Sequence, residues 1–180
     1  MKTNKIVLGL DIDGTLYDWH DAVYTFYQYE MRYPDTYSNF WSSYWRSLSL
    51  DRREYLASIP ILYETKVPPA CVLDFLEFAA QRSEIYYITH RPSEVERVTR
   101  KYFKKYNFPF QDNLIMTGDK ANACRLYGVT HFLDDFASHI EKVKNIADSY
   151  LLARAWNRDE RDGHNVVYSL KEFRERVFNE

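Results

Sequence analysis

Ile6-Val7-Leu8-Gly9-Leu10-Asp11-Ile12-Asp13-Gly14-Thr15-Leu16 decides how this chain is read. The apolar run from Ile6 to Leu10 reads as a buried strand. It gives way to two carboxylates two residues apart, an arrangement that is costly unless something cationic meets them. Gly14 lets the backbone turn sharply just beyond. The simplest use of such a cluster is to hold a hard cation such as Mg2+, with one carboxylate free to attack phosphorus. The same Asp-x-Asp-Gly pattern also serves calcium loops and plain turns, so this stretch alone leaves that alternative open.

Three later segments narrow the choice. Ile85-Tyr86-Tyr87-Ile88-Thr89 is an apolar strand ending in a hydroxyl. Asn113 to Met116 leads through Thr117-Gly118-Asp119 to Lys120 at a helix start, and Thr130-His131-Phe132-Leu133 ends in the adjacent carboxylates Asp134 and Asp135. Ligands of open parallel sheets bind beyond the carboxyl ends of the strands. Four strands would therefore aim Asp11, Thr89, Lys120 and Asp134 at one crevice.

The rest of the chain alternates strands and helices, which implies a Rossmann-like parallel sheet flanked by helices with right-handed crossovers. The pattern predicts strands at Lys5–Leu10, up to Thr89, Leu114–Thr117, up to Asp134 and Tyr150–Ala153. It predicts helices over Tyr17–Arg32, Ser38–Ser47, Asp51–Ala57, from Pro68-Pro69 through Ala80, after Pro92, from Asp119 to near Gly128, over Ser138–Ala147, and from about Leu170 with Ser169 as cap. Tyr33-Pro34-Asp35 reads as a break. One segment breaks the alternation: about 70 residues separate the first two strands, far more than one crossover helix needs. Much of it is aromatic, including Trp19, Tyr24, Tyr27, Phe40, Trp41 and Trp45. It reads as a small helical cap inserted after the first strand. The expected division is an α/β core of residues 1–16 and 84–180 and a cap of residues 17–83, with the last helix of that span assignable to either. Most cap aromatics should pack the cap's own core. Those facing the crevice would suit a flat ligand such as a nucleobase.

Composition is consistent with this. A chain of 180 residues suits one domain with an insert, and a net charge of −2 argues against a general nucleic-acid binder. The cluster Arg97, Arg100, Lys101, Lys104 and Lys105 reads as a solvated helix face. The two cysteines, Cys71 and Cys124, read as buried thiols, which fits a reducing, cytoplasmic setting. The N-terminal apolar run is too short for a signal peptide or membrane span.

With four motifs in order, at Asp11-Ile12-Asp13-Gly14-Thr15, Thr89, Lys120 and Asp134-Asp135, the chain resembles the haloacid dehalogenase-like (HAD) phosphohydrolase superfamily over about residues 6 to 135. In detail it is similar to the 5'(3')-deoxyribonucleotidases. Asp18-Trp19 and the pair Phe40-Trp41 match aromatic positions that hold the base in that family, and Thr117-Gly118-Asp119-Lys120 matches a recurring stretch. Phe136 stands where many members carry Arg, and His90-Arg91-Pro92 follows Thr89 where mammalian members carry Ser-Pro. An acid at Asp13 implies, by the resemblance, a phosphatase or phosphomutase rather than a dehalogenase.

The residue types then predict a mechanism. Asp11 attacks phosphorus to form an aspartyl-phosphate. Mg2+ sits on Asp11, the Asp13 backbone carbonyl and Asp134, and Asp135 binds a metal-bound water or orients Lys120. Thr89 holds the phosphoryl group, Lys120 supplies positive charge, and Asp13 acts as acid then base. His90 adjoins Thr89 and is a candidate phosphate contact. His131 reads as a strand residue, and His20, His139 and His164 as surface residues. Asn157 and Arg158 read either as site residues or as loop. The expected partner is a small-molecule phosphate ester, a nucleotide by preference, with no stable nucleic-acid complex, no membrane, and room for a homodimer. Another small phosphate ester, a nucleic-acid 3'-end phosphate and a non-catalytic nucleotide-binding module are the alternatives.

Overall fold

The computed structural model describes residues 5–30, 32 and 35–179. Its strands are β1 (Ile6–Leu10), β2 (Ser83–Thr89), β3 (Leu114–Met116), β4 (His131–Asp134), β5 (Asp148–Leu152) and β6 (Val166–Val167). They form one parallel sheet in the order β3-β2-β1-β4-β5-β6. The strand order reverses between β1 and β4, which opens a crevice at their carboxyl ends. Leu8 and Leu10 of β1 face one apolar cluster and Val7 faces the other, as the two-residue strand period requires.

Helix α5 (Ala70–Ala80) and helix α9 (Leu170–Phe178) cover one face through Phe75, Leu76 and Phe173. Helix α6 (Glu96–Lys105) adds Tyr102 and Phe103 to the same cluster, and its five basic residues point to solvent. Helix α7 (Lys120–Leu126) and helix α8 (Ala137–Val143) cover the other face through Cys124, Ile140 and Val143. Among the described residues, no helix is long and apolar enough to cross a membrane.

Between β1 and α5 the chain makes helix α1 (Trp19–Glu30), helix α2 (Tyr37–Asn39), a π-helical turn (Phe40–Tyr44), helix α3 (Trp45–Ser47), helix α4 (Leu50–Ala57) and a 3-10 turn (Pro60–Tyr63). These pack on one another through Val23, Tyr27, Phe40, Leu56, Leu62 and Tyr63. Helix α5 belongs instead to the sheet's cluster.

Several details differ from the sequence pattern. Helix α1 begins at Trp19 rather than Tyr17, because the amides of Thr15, Leu16 and Tyr17 all turn back to the Ile12 carbonyl. Asp18 then caps the helix, accepting from the Asp21 amide at 3.0 Å. Helix α8 stops at Val143, strand β5 starts at Asp148, and β6 is a two-residue strand too short to leave a periodic signal. Cys124 is buried as expected, whereas Cys71 is exposed on α5. The break at Tyr33-Pro34 lies outside the described residues.

Gly9 pairs with Phe132 across β1 and β4, and a Cβ there would lie 2.9 Å from the Phe132 ring and 3.0 Å from Val129. Gly9→Ala should therefore overpack the sheet centre and lower stability by about 1–3 kcal/mol in urea unfolding; unchanged stability would contradict this packing.

Candidate active site

Asp11 leaves the end of β1 with its amide bonded to the Leu133 carbonyl at 2.9 Å, which fixes it against β4. The residue is 5 % exposed, and its Oδ1 accepts from Lys120 Nζ. Lys120 begins α7, where Asp119 caps the helix by accepting from the Asn122 amide. The same ammonium donates to Asp134 Oδ2 at 2.8 Å. Asp134 is further held by His139 Nδ1 at 2.9 Å and by the Phe136 amide at 2.8 Å. Thr89, also buried, ends β2 and lines the same cavity. Three strand ends and the start of α7 thus meet in one place.

The electrostatics are unbalanced. Asp11, Asp134 and Asp135 are all buried, and one ligand oxygen from each lies within 4.8 Å of the others. Lys120 is the only lysine or arginine that pairs with any of them among the described residues. Burial, together with Asp134 and Asp13, pushes the Asp11 carboxyl up to about 7 despite Lys120. Burial beside Asp11 and Asp134 drives Asp135 well above the usual carboxylate range. Burial works against Asp134 too, but Lys120 and His139 more than offset it and hold its carboxyl low. Lys120 loses by burial and gains more from its two carboxylates, so it stays charged. Asp135 Oδ2 accepts from the Trp156 indole at 2.7 Å, whereas Oδ1 is buried with no partner. An orphaned carboxylate oxygen amid three acids fits a hard divalent cation bound by oxygen ligands.

Asp13 is partly exposed, and both its oxygens are gripped by Arg91, through Nε at 2.8 Å and Nη2 at 2.6 Å. Arg91 is 4 % exposed, donates to Thr99 Oγ1 at 2.9 Å, and lies over the rings of Tyr63 at 4.4 Å and Tyr17 at 5.3 Å. Burial pulls its pKa down and Asp13 more than restores it. This forked pair ties the loop after β1 to that after β2 and to the cap.

The cavity measures about 300 Å³ and lies between Asp11, Thr89 and Lys120 on the sheet side and Trp19, Trp45 and Tyr63 on the cap side. His90 lines it, its imidazole held below the usual range by burial and by nearby His139 and Lys120. A groove of about 710 Å³ adjoins it past Trp19 and Trp45. Not every aromatic expected to contact a ligand reaches this space. Phe40 is fully buried in the cap core, where Tyr24, Tyr27 and Trp41 enclose it. Trp41 lines a separate recess with Trp156 and Asp135. The π-helical turn brings Trp45 rather than Trp41 to the cavity wall, with its ring 5.7 Å from Trp19 at 83°.

None of the three histidines read as surface residues is one, the His164 side chain being only 9 % exposed. His139 bonds Asp134, and His20 is buried against Trp156, its ring 3.7 Å away at 18°. Burial and Arg154 pull the His20 pKa to about 3, so it is neutral. Asn157 reaches the site's backbone, donating to the Asp135 carbonyl at 2.8 Å, while Arg158 makes no such contact. The sequence assigns none of Arg91, His139 and Trp156 to the site, and Trp45 reads there only as one of the cap aromatics. The His-Arg-Pro departure after Thr89 was the one available signal for Arg91.

No family model matches this chain. A "putative nucleotidase" of Halalkalibacterium halodurans is 36 % identical over 61 residues, 33 % of this chain and 31 % of that protein. The matched stretch thus spans about a third of that relative. Solved structures align over nearly the full length. A haloacid dehalogenase-like family hydrolase of Streptococcus pneumoniae superposes with a TM-score of 0.65 at 13 % identity, over 98 % of this chain and 99 % of that one. A "putative phosphatase" of Clostridium difficile gives 0.66 at 14 %, over 98 % and 100 %. The "putative HAD-hydrolase YfnB" of Bacillus subtilis, bound to magnesium, gives 0.64 at 14 %, over 98 % and 99 %. The chain has the haloacid dehalogenase-like fold. Dehalogenases share that fold too.

The charge imbalance makes a pH prediction. In EDTA, the raised Asp11 pKa means the native state holds a proton that the unfolded state releases above its ordinary value of 3.8. The contribution of Asp11 to stability is therefore fully present below that value and is lost as pH rises through about 7. Asp11→Asn should gain stability relative to wild type as pH rises across that window, read by thermal unfolding; a pH-independent difference would contradict the imbalance.

Proposed function

We propose that this protein is a Mg2+-dependent phosphatase that hydrolyses (deoxy)nucleoside monophosphates through an aspartyl-phosphate on Asp11. The observation that carries this reading is the buried contact of Lys120 with both Asp11 and Asp134, beside a third carboxylate with an unpartnered oxygen. Asp11, the Asp13 backbone carbonyl, Asp134 and Asp135 would hold the cation. Mg2+ there would supply positive charge that lowers the repulsion between carboxylate and phosphate dianion and stabilises the equatorial oxygens.

Lys120 occupies Oδ1 of Asp11, which leaves Oδ2 for in-line attack on phosphorus. As the new P–O bond forms, the ester P–O bond breaks and Asp13 gives a proton to the departing alkoxide. Asp13 then takes a proton from the water that attacks the aspartyl-phosphate, releasing inorganic phosphate and restoring the Asp11 carboxylate. Arg91 grips both Asp13 oxygens in this structure, so one of them must leave the guanidinium for Asp13 to carry the proton. Thr89, its backbone surroundings and His90 hold the phosphoryl oxygens. A departing halide needs no proton and a departing alcohol does, so a carboxyl group two residues beyond Asp11 favours phosphate-ester chemistry over dehalogenation.

The nucleotide preference rests on the apolar, edge-to-face pair of Trp19 and Trp45 that lines the cavity and on the short likeness to a protein named as a nucleotidase. Phe40 is no longer a candidate for substrate contact, and Trp41 supports the wall from behind Trp19, its ring 6.4 Å away.

A phosphate-release panel of dUMP, dTMP, other nucleoside monophosphates and sugar phosphates tests the reading. Nucleotides should turn over best, EDTA should abolish release, and Asp11→Asn should lower the rate by about 10³-fold or more. Preference for sugar phosphates would sink the nucleotide assignment, and full activity of Asp11→Asn would sink the mechanism. Trp19→Ala and Trp45→Ala should each cost nucleotides about 10-fold or more while sparing a small aryl phosphate; equal losses on both substrates would rule out base stacking.

A further inference from the structure

The segment after β5 has no role in the mechanism above, yet it surrounds the acidic cluster. Arg154 Nε donates to the Gly14 carbonyl at 2.6 Å. Asn157 Nδ2 donates to the carbonyls of Asp135 and Leu152, both at 2.8 Å, and its Oδ1 accepts from the Arg154 amide at 2.9 Å. Between these anchors Trp156 places its indole N–H on Asp135 Oδ2 at 2.7 Å and its ring flat on His20 of α1. On the other side, the missing Cβ of Gly14 leaves the room that carboxylate occupies, since a Cβ would fall 2.2 Å from Oδ2.

We infer that Trp156 is a positioning residue that orients Asp135 for a divalent cation and ties that orientation to the cap through His20. The inference rests on the metal assignment proposed above. Asp135 sits beside two like-charged carboxylates, and repulsion would rotate it away without a fixed partner. A lysine or arginine in the place of Trp156 would hold it equally well but would neutralise it and compete with the cation. A neutral indole donor fixes one oxygen and leaves both the charge and the other oxygen, Oδ1, for metal. Groups of this kind behind metal ligands set affinity through orientation.

Calorimetric titration of the substrate-free protein with Mg2+ tests this. Trp156→Phe keeps a ring against His20 and removes the donor, and should weaken Mg2+ binding by about 10-fold. Trp156→His, neutral at alkaline pH, restores an N–H at similar reach and should stay within about 3-fold of wild type. Melting in EDTA shows whether each variant is folded. In the wild type, the assigned Trp156 indole N–H resonance should move as Mg2+ saturates the site. Wild-type affinity in Trp156→Phe, equal losses in both variants, or a resonance indifferent to Mg2+ would overturn the inference alone. Failure of the wild type to bind Mg2+ or Mn2+ would overturn the metal assignment and this inference together.

Discussion

One lysine faces three buried carboxylates, and the rest of the site is arranged around that inequality. Lys120 neutralises part of the charge on Asp11 and Asp134, and among the described residues no lysine or arginine forms an ion pair with Asp135. Burying unpaired carboxylates costs several kcal/mol each unless they protonate or find a cation. The upward push on Asp11 and Asp135 is the protonation route. A divalent cation would be the other route.

The sheet makes this charge density tolerable. Strands β1 and β4 are neighbours at the point where strand order reverses, so their carboxyl ends deliver acids from Asp11 to Asp135 into one crevice without any loop having to travel far. Apolar layers on both faces fix the strands. The cap closes the crevice from above, and Arg91 joins the two bodies of structure by gripping Asp13 while lying against Tyr63 of the cap. Trp156 makes a second join through His20. Both joins touch an acid of the site, Asp13 in one and Asp135 in the other.

Much of this was legible in the sequence because it is local. Apolar runs that end in Asp11, Thr89 and Asp134 reveal strand ends, and strand ends of a parallel sheet converge. The long aromatic excursion between β1 and β2 marks the cap. What escaped the sequence is choice of partner across long separations. Nothing near Arg91 in the chain says that its guanidinium will fold back 78 residues to Asp13. Nothing near Trp156 says that its indole will seek Asp135. His20 and His139 are polar residues in helices, and only the packed structure shows one stacked and neutral and the other bonded to Asp134. The π-helical turn at Phe40–Tyr44 rephases the following residues, and therefore Trp45, not Phe40 or Trp41, meets the cavity. Strand β6 is two residues long and is formed by pairing with β5 rather than by any pattern of its own.

The most direct test of the account is an anomalous difference map from crystals soaked in Mn2+, collected on the wild type at neutral pH. The account predicts a single strong peak bound by carboxylate oxygens of Asp11, Asp134 and Asp135 or by water held on them, with the Asp13 carbonyl completing the set. A peak elsewhere, or an acidic cluster left empty at saturating Mn2+, would contradict it.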